Sequence, residues 1–362
     1  MSIKHIEFQL ELEGHGVVNY DGKEQKSLFN QRKDTTYNQK VNHLVTTNDN
    51  VAFAKKDFFL DENGNLDYKI KISSNCLRHE IFYKDIPCFS PNVLINDFTR
   101  LNYIASPVVL LRGEMLANEK NTYIRKSAIS LTHGLSTTNE LSYVDTCTRN
   151  MQKIEKEEIT DKSGTSFFRR ETIGDIKYKA EGDIDLSVLQ FLSADDVASR
   201  RFLNADEYEQ FKIFLQTRMP SFNSDLKYYQ YKTSVVHLPE LGTLLSNDDL
   251  IYLVKYFFES VVNINIKRNN SYARFSGLKI RMIEDNINRD KSKWIEIKSI
   301  EDINNISFES EVFYSEVSES DVKEYDETNQ KIKEEIKKNQ KAAKAVKSDK
   351  KKDKKDKSES NE

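Results

Sequence analysis

The chain has 362 residues, of which 38% are hydrophobic. That is enough core for one large domain or two ordinary ones, and no apolar run is long enough to span a membrane. The net charge of −3 is uneven: 13 Lys against 7 Asp or Glu put residues 331–362 at +6 and leave residues 1–330 at −9. A net-acidic body excludes a general nucleic-acid glue, so any contact with RNA or DNA has to come from a focused groove.

In chain order, Ile6, Phe8, Leu10 and Leu12 alternate with polar residues and predict a first strand. It closes at Gly14-His15-Gly16, where the chain can turn or approach a ligand closely. The opening residues alternate and carry charge, unlike a signal peptide. Residues 23–67 are polar and weakly periodic and read as an insertion. Ser73 or Ser74 then caps a short helix over NCLRHEIFY, with Leu77 and Ile81 on one face. Apolar helical stretches follow around 93–103 and 108–116, and Lys126–Thr132 reads as a strand.

A second insertion, about 133–176, carries SGTSFFRR. There Phe167 and Phe168 stand beside Arg169 and Arg170, a pairing read as a projecting loop suited to stacking and charge contacts with unpaired nucleic acid. The plainer reading is a surface hairpin whose two Phe side chains plug the core. From 177 to 187 the pattern is an alternating strand, with Tyr178, Ala180, Gly182, Ile184 and Leu186 on one face. Asn247-Asp248-Asp249 offers a cap for a core helix bearing Leu250, Leu253, Val254, Phe257, Phe258 and Val261. A basic turn, Lys267–Asn270, leads to a last strand with Leu278, Ile280 and Met282 opposite Lys279 and Arg281.

This order, β-α-β-β-α-β, predicts an α+β fold: an RRM/ferredoxin-like palm, a four-stranded antiparallel sheet with helices on one face, spanning 1–315. The sheet's open face is the platform that RNA-recognition folds use. A charged segment of helical composition, 316–346, and a disordered Lys/Asp/Ser/Glu tail, 347–362, complete the expected organisation. Cys76, Cys88 and Cys147 form no CxxC pair and are odd in number, so neither a structural zinc nor a disulfide framework is expected. The composition reads as cytoplasmic and reduced.

Several patches in fixed order resemble one family. They are Glu13 to Gly22, Ile72 to Phe82, Leu110-Leu111-Arg112-Gly113, Arg125-Lys126-Ser127, Thr165-Ser166-Phe167-Phe168 through Gly182-Asp183-Ile184 to Phe191, and Gly242-Thr243-Leu244-Leu245. Together they resemble the backbone subunit of type I CRISPR Cascade complexes, the seventh Cas family of the RAMP superfamily, and most closely the compact variant branch of subtype I-F. The resemblance implies an RRM-like palm with long thumb and finger elements. It implies copies stacked head to tail along a CRISPR RNA, which they kink at regular intervals so that the intervening bases pair with target DNA. Other Cascade subunits would sit at the guide ends, with no membrane involved.

The RNA-binding residues it implies here are Gly14, His15, Gly16, Asn75, Arg78, His79, Arg112, Arg125, Lys126, Ser166, Phe167, Phe168, Arg169 and Arg170. Arg78 near a capped helix start, together with Arg112, Arg125 and Lys126, would neutralise phosphates. Gly14 and Gly16 would admit RNA backbone. Each histidine is equally a satisfied structural residue, and Arg112 has Glu114 as an alternative partner. GxSxG, HExxH, Walker and GxGxxG patterns are absent from the sequence. No catalytic residue, metal or cofactor is expected. Two alternatives stay open: a guide-processing ribonuclease using His15, and a general RRM-like RNA-binding module.

Overall fold

A computed structural model of the chain describes residues 2–20, 51–82, 97–117, 122–137, 142–155, 158–195, 202–233, 239–268, 270–284 and 286–323. Expectations for 23–50, 93–96, Cys88 and the chain beyond 323 lie outside these residues. In chain order the first elements are β1 (His5–His15), β2 (Val51–Ala52), β3 (Lys56–Leu60), β4 (Leu66–Ile72), α1 (Ser74–Phe82), α2 (Asp97–Ile104), α3 (Pro107–Arg112), β5 (Glu114–Ala117), β6 (Thr122–Arg125), β7 (Ile129–Leu131) and β8 (Gly134–Ser136). Next come β9 (Tyr143–Glu155), β10 (Glu158–Thr172), β11 (Asp175–Asp185), α4 (Leu186–Gln190), β12 (Phe191–Ser193), α5 (Tyr208–Arg218), β13 (Lys227–Tyr231) and β14 (Glu240–Leu244). The last are α6 (Asn247–Val262), β15 (Asn265–Arg268), β16 (Ser271–Ile283), β17 (Ile295–Ile297), α7 (Ile300–Asn304) and β18 (Tyr314–Val317).

The main sheet has nine strands rather than four, in the order β15-β16-β1-β11-β8-β4-β3, with β17 also on β16 and β7 also on β11. All its pairings are antiparallel. Two of the five additional strands, β3 and β4, come from residues 56–72, which overlap the first stretch read as an insertion, fold back on themselves and join β8.

The core sits on one face of this sheet. Ile6, Phe8, Leu10 and Leu12 of β1 are at most 1% exposed. The Phe8 ring meets Phe257 and Phe258 of α6 edge-on, with centroids 5.2 and 5.9 Å away. Phe82 of α1 stands 6.1 Å from Phe257. The cap of α6 is Ser246, one residue before the expected Asn247. Its Oγ accepts from the Asp249 N–H and the Asp249 carboxylate accepts from the Ser246 N–H, a reciprocal box.

Gly182 lies opposite Phe8 in the β1–β11 register. A Cβ there would stand 2.2 Å from Phe8 Cζ and 2.6 Å from the Ser130 carbonyl oxygen. Gly182→Ala should therefore lower unfolding free energy by about 2 kcal/mol, by overpacking. A urea melt with an unchanged midpoint would show that the ring yields freely.

Pairing between β1 and β16 shifts between Glu11 and Leu12, whose partners are Gly277 and Phe275, so Ser276 is bulged out. The bulge reverses which side chains face inward: Ser271 and Ala273 are buried before it, Leu278 and Ile280 after it.

The opposite face is polar and internally neutralised. Glu13 pairs with Arg274 at 2.7 Å, His5 with Asp183 at 3.0 Å and Lys179 with Glu181 at 3.3 Å. Glu7 is held by both Arg281 and Arg289. The face expected as an open RNA platform thus pairs many of its charges side chain to side chain.

Several boundaries differ from expectation for local reasons. The helix expected over 108–116 is α3 and stops at Arg112, because Gly113 takes φ +75°; Leu116 belongs to β5. The strand expected over 126–132 is shorter: only β7 falls within it, and β6 ends just before it at Arg125. The strand expected to reach 187 ends at Asp185, whose carboxylate accepts from the Ser187 and Val188 N–H groups and starts α4. SGTSFFRR is no loop: its backbone is continuous strand within β10, paired with β9 and, at Arg169 and Arg170, with β2.

A second sheet, β12-β14-β13-β18, was not foreseen. Its last strand crosses the domain boundary expected at 315. Cys76 is a free thiol whose pKa is pushed up chiefly by burial. Among the described residues no helix is long and apolar enough to cross a membrane.

Candidate nucleic-acid interface

Helix α1 organises the candidate site. The Ser73 carbonyl accepts from the Leu77 N–H at 3.0 Å and its Oγ accepts from the Cys76 N–H at 3.3 Å, so Ser73 is the cap. The Ser74 N–H donates to Nδ1 of His133 at 3.0 Å. Two of the first N–H groups expected to greet a phosphate are therefore already engaged. Leu77 and Ile81 face the core, which leaves Asn75 and His79, one turn apart, exposed on the same face.

Arg78 is half-buried and acts as a bracket. Its guanidinium donates to the Arg112 carbonyl at 2.6 Å, the Ser127 hydroxyl at 3.0 Å and the Ile129 carbonyl at 3.2 Å. Burial, and then the nearby Arg112 charge, lower its pKa. These bonds tie α1 to the end of α3 and to the turn before β7. Gly113 makes the close approach possible, since a Cβ there would stand 2.5 Å from the Ser127 nitrogen.

The result is a cluster of cations gathered from distant parts of the chain. Arg112 is half-buried and Lys126 exposed, and among the described residues neither makes an ion pair. Glu114, the alternative partner for Arg112, instead accepts from the Tyr103 hydroxyl at 2.9 Å. That bond, behind burial itself, raises the Tyr103 pKa. Unpaired guanidinium and ammonium groups beside exposed amide and imidazole side chains suit a phosphate-sugar backbone.

Arg125 is not part of this cluster. It is 7% exposed and donates to three carbonyls: Leu110 at 3.3 Å, Phe191 at 2.6 Å and Leu189 at 3.1 Å. The phosphate role expected of it is corrected: it joins α3 to the junction of α4 and β12.

Gly14, His15 and Gly16 form a separate place at the far end of β1. Here too the expected reason for the glycines is corrected. A Cβ on Gly14 would lie 2.2 Å from the Tyr272 carbonyl oxygen. Gly16 has φ +69°, and its Cβ would lie 2.8 Å from Ser271 Cβ. Both glycines admit the neighbouring strand. His15 is exposed, with Nδ1 2.8 Å from an oxygen of the exposed Asp175.

Beside this pair lies an open groove of about 440 Å³ whose lining includes Gly14, Asp175, Lys177, Tyr272 and Arg274. Tyr272 is an exposed ring with the Arg274 guanidinium 5.7 Å from its centre. The sequence reading missed this aromatic-cation pair. Its signal was the alternation of Tyr272 and Arg274 at the start of the last strand.

Of the SGTSFFRR residues, Arg170 is half-buried on β10, opposite Asp145. The side chains of Ser166, Phe167, Phe168 and Arg169 lie outside the described residues. Apart from the buried Arg125, the expected residues thus fall into three places: the α1 cluster, the end of β1, and the β9–β10 hairpin.

Residues 2–299 match a protein family described as type I-Fv CRISPR-associated protein Cas7fv-like. Two solved structures are distantly similar. One, described as a CRISPR RNA-guided surveillance complex, has 11% identity and a TM-score of 0.32 over 76% of this chain and 68% of that one. The other, described as a CRISPR RNA-guided surveillance complex, pre-nicking, has 8% identity and a TM-score of 0.35 over 76% and 78%. No curated protein matches the chain.

Proposed function

The chain belongs to the Cas7fv-like family of type I-Fv CRISPR-associated proteins, and from that premise we propose that it is a non-catalytic subunit that polymerises along a CRISPR RNA. In this reading Arg112 and Lys126 hold guide phosphates while Asn75 and His79 contact sugar or phosphate edges. The carrying observation is that two cations without ion pairs among the described residues are fixed beside α1 by the Arg78 bracket. An otherwise acidic body would need such a focused site.

The neighbouring strands β16, β1, β11 and β7, with α1 and α6 on one face, support the reading of an RRM-like palm. The β9–β10 hairpin is then the thumb, kinking the guide at regular intervals. The free bases would pair with target DNA, so sequence recognition is delegated to base pairing. Other Cascade subunits would close the two ends of the guide.

The test is to express the chain with its own CRISPR array and sequence the RNA that co-purifies. The expected result is spacer-containing RNA of uniform length carrying several protein copies. Heterogeneous cellular RNA, or none, would reduce the chain to a general RNA-binding module.

A ribonuclease reading has one observation in its favour, the His15–Asp175 pair. Cutting RNA by 2′-hydroxyl attack needs a base for that proton and an acid for the leaving 5′-oxygen. One imidazole does not fill both roles at once. His15→Ala should therefore leave the length and yield of bound guide unchanged. Cleavage of precursor RNA by the purified chain, lost in His15→Ala, would establish the ribonuclease instead.

A further inference from the structure

The main sheet ends in β3 on one side and carries β17 on the other, along β16. Among the described residues no strand pairs with the outer edge of either. Such edges are templates for another chain unless charge, proline or a bulge blunts them.

The β3 side is built as a prong. Among the described residues β8 pairs with β4 at Lys71 and Ile72 and reaches Ile70 through the Ser136 hydroxyl, so β3 and the part of β4 before Ile70 extend as a two-stranded ribbon. Such a ribbon alone is marginal in water. Its tip is nonetheless ordered: the Asp61 carboxylate accepts from the Asn63 and Asn65 N–H groups at 2.9 and 2.6 Å, and Gly64 takes φ +76°. Just before the tip Phe59 and Leu60 are 38% and 67% exposed. Of the acids at 57–67, Asp57 pairs with Lys71 at 3.2 Å and Asp61 holds the turn, and Lys69 lies 5.7 Å from the Phe59 ring centre, so the acidic contribution is that of Glu62 at the tip and Asp67 beside it.

The opposite edge is complementary. Trp294 and Ile295 are 37% and 49% exposed. Lys291 and Lys293 precede them, and among the described residues neither makes an ion pair. Arg281 lies 4.6 Å from the centre of the Trp294 ring and so helps fix it in place.

We propose that the β3–β4 prong of one copy docks on residues 291–295 of the next. In this contact β3 runs alongside β17, Phe59 and Leu60 meet Trp294 and Ile295, and the carboxylates of Glu62 and Asp67 face Lys291 and Lys293. The two surfaces differ and lie at opposite edges of one sheet, so the contact is heterologous and each copy still offers a free edge to the next. Placing it between neighbours on a guide rests on the function proposed above; the contact itself does not require RNA. A basic segment with a Trp would also suit nucleic acid. The occupant is inferred to be protein because the matching acidic, apolar surface is on the same chain and because Ile295 offers no ring for stacking.

The test uses the full chain in three variants: Glu62→Lys with Asp67→Lys, Lys291→Glu with Lys293→Glu, and all four together. Sedimentation follows assembly on a long guide-like RNA and on no RNA. A separate titration uses an oligonucleotide that seats one copy. Each reversal should weaken assembly on the long RNA by about tenfold or more and leave the short oligonucleotide's affinity unchanged, and the fourfold variant should restore assembly.

Assembly unaffected by either reversal, or not restored by combining them, overturns the docking. So does a loss of short-oligonucleotide affinity in Lys291→Glu with Lys293→Glu that the combination leaves in place, which would make the segment an RNA site. If the wild-type chain binds no RNA, the guide reading fails and the RNA-free runs decide. Association lost by each reversal and restored by the combination then still supports the docking, and a strictly monomeric wild type overturns it.

Discussion

Arg125→Ala should lower the unfolding free energy of the RNA-free chain by about 3–5 kcal/mol. The loss has two parts. A well-packed side chain at 7% exposure is removed, and the carbonyls of Leu110, Leu189 and Phe191 lose their common donor where water does not readily replace it. Arg125→Lys should recover little, because one ammonium does not reach three acceptors placed for a planar fork. Urea melts measure this directly. A wild-type melt with lost RNA affinity would return Arg125 to the phosphate-binding residues and overturn its structural assignment.

The opposite pattern is expected when Arg112 and Lys126 are both changed to Ala. Neither makes an ion pair among the described residues, so the melt should move by less than about 1 kcal/mol, as for surface changes in general. RNA affinity near physiological salt should fall by about tenfold or more. The slope of log affinity against log salt should shrink by about 1.4, near 0.7 per phosphate contact on a single strand. An unchanged slope would mean that these cations face solvent rather than guide. The two experiments together separate arginines that hold the protein from cations that hold the ligand.

Much of the main sheet and its long helix was legible because strong periodicity survives in one dimension. β1, β11, α6 and β16 each carry an alternating or helical apolar pattern that their burial follows. The family resemblance, carried by short patches in fixed order, is borne out by the match over residues 2–299. The second sheet was not legible, since β12 is three residues long and β13 and β14 five each, too short for period to show.

Arg125 was misread for a different reason. Arg125 sits beside Lys126 in a polar stretch, and nothing local tells that one of the pair turns inward to three carbonyls contributed by other elements. Gly14 and Gly16 were read correctly as positions of close approach, but what approaches is β16. Contacts across the sheet are set by register, and register at the end of a strand is fixed by its partner. The cation cluster has the same character: Arg78, Arg112 and Lys126 meet only because Gly113 lets two backbones touch.

The bulge at Ser276 has a consequence for shape on a larger scale. Strands in a sheet turn by roughly 20° from one to the next, and a bulge adds to the turn locally. Six steps separate β17 from β3, so the two edges are rotated against each other by on the order of 120°. Copies joined edge to edge would each inherit that rotation and advance like the treads of a spiral stair. On this geometry the pitch of such an array is written into the curl of a single sheet, and a mutation that flattens the bulge should change the pitch before it changes the affinity.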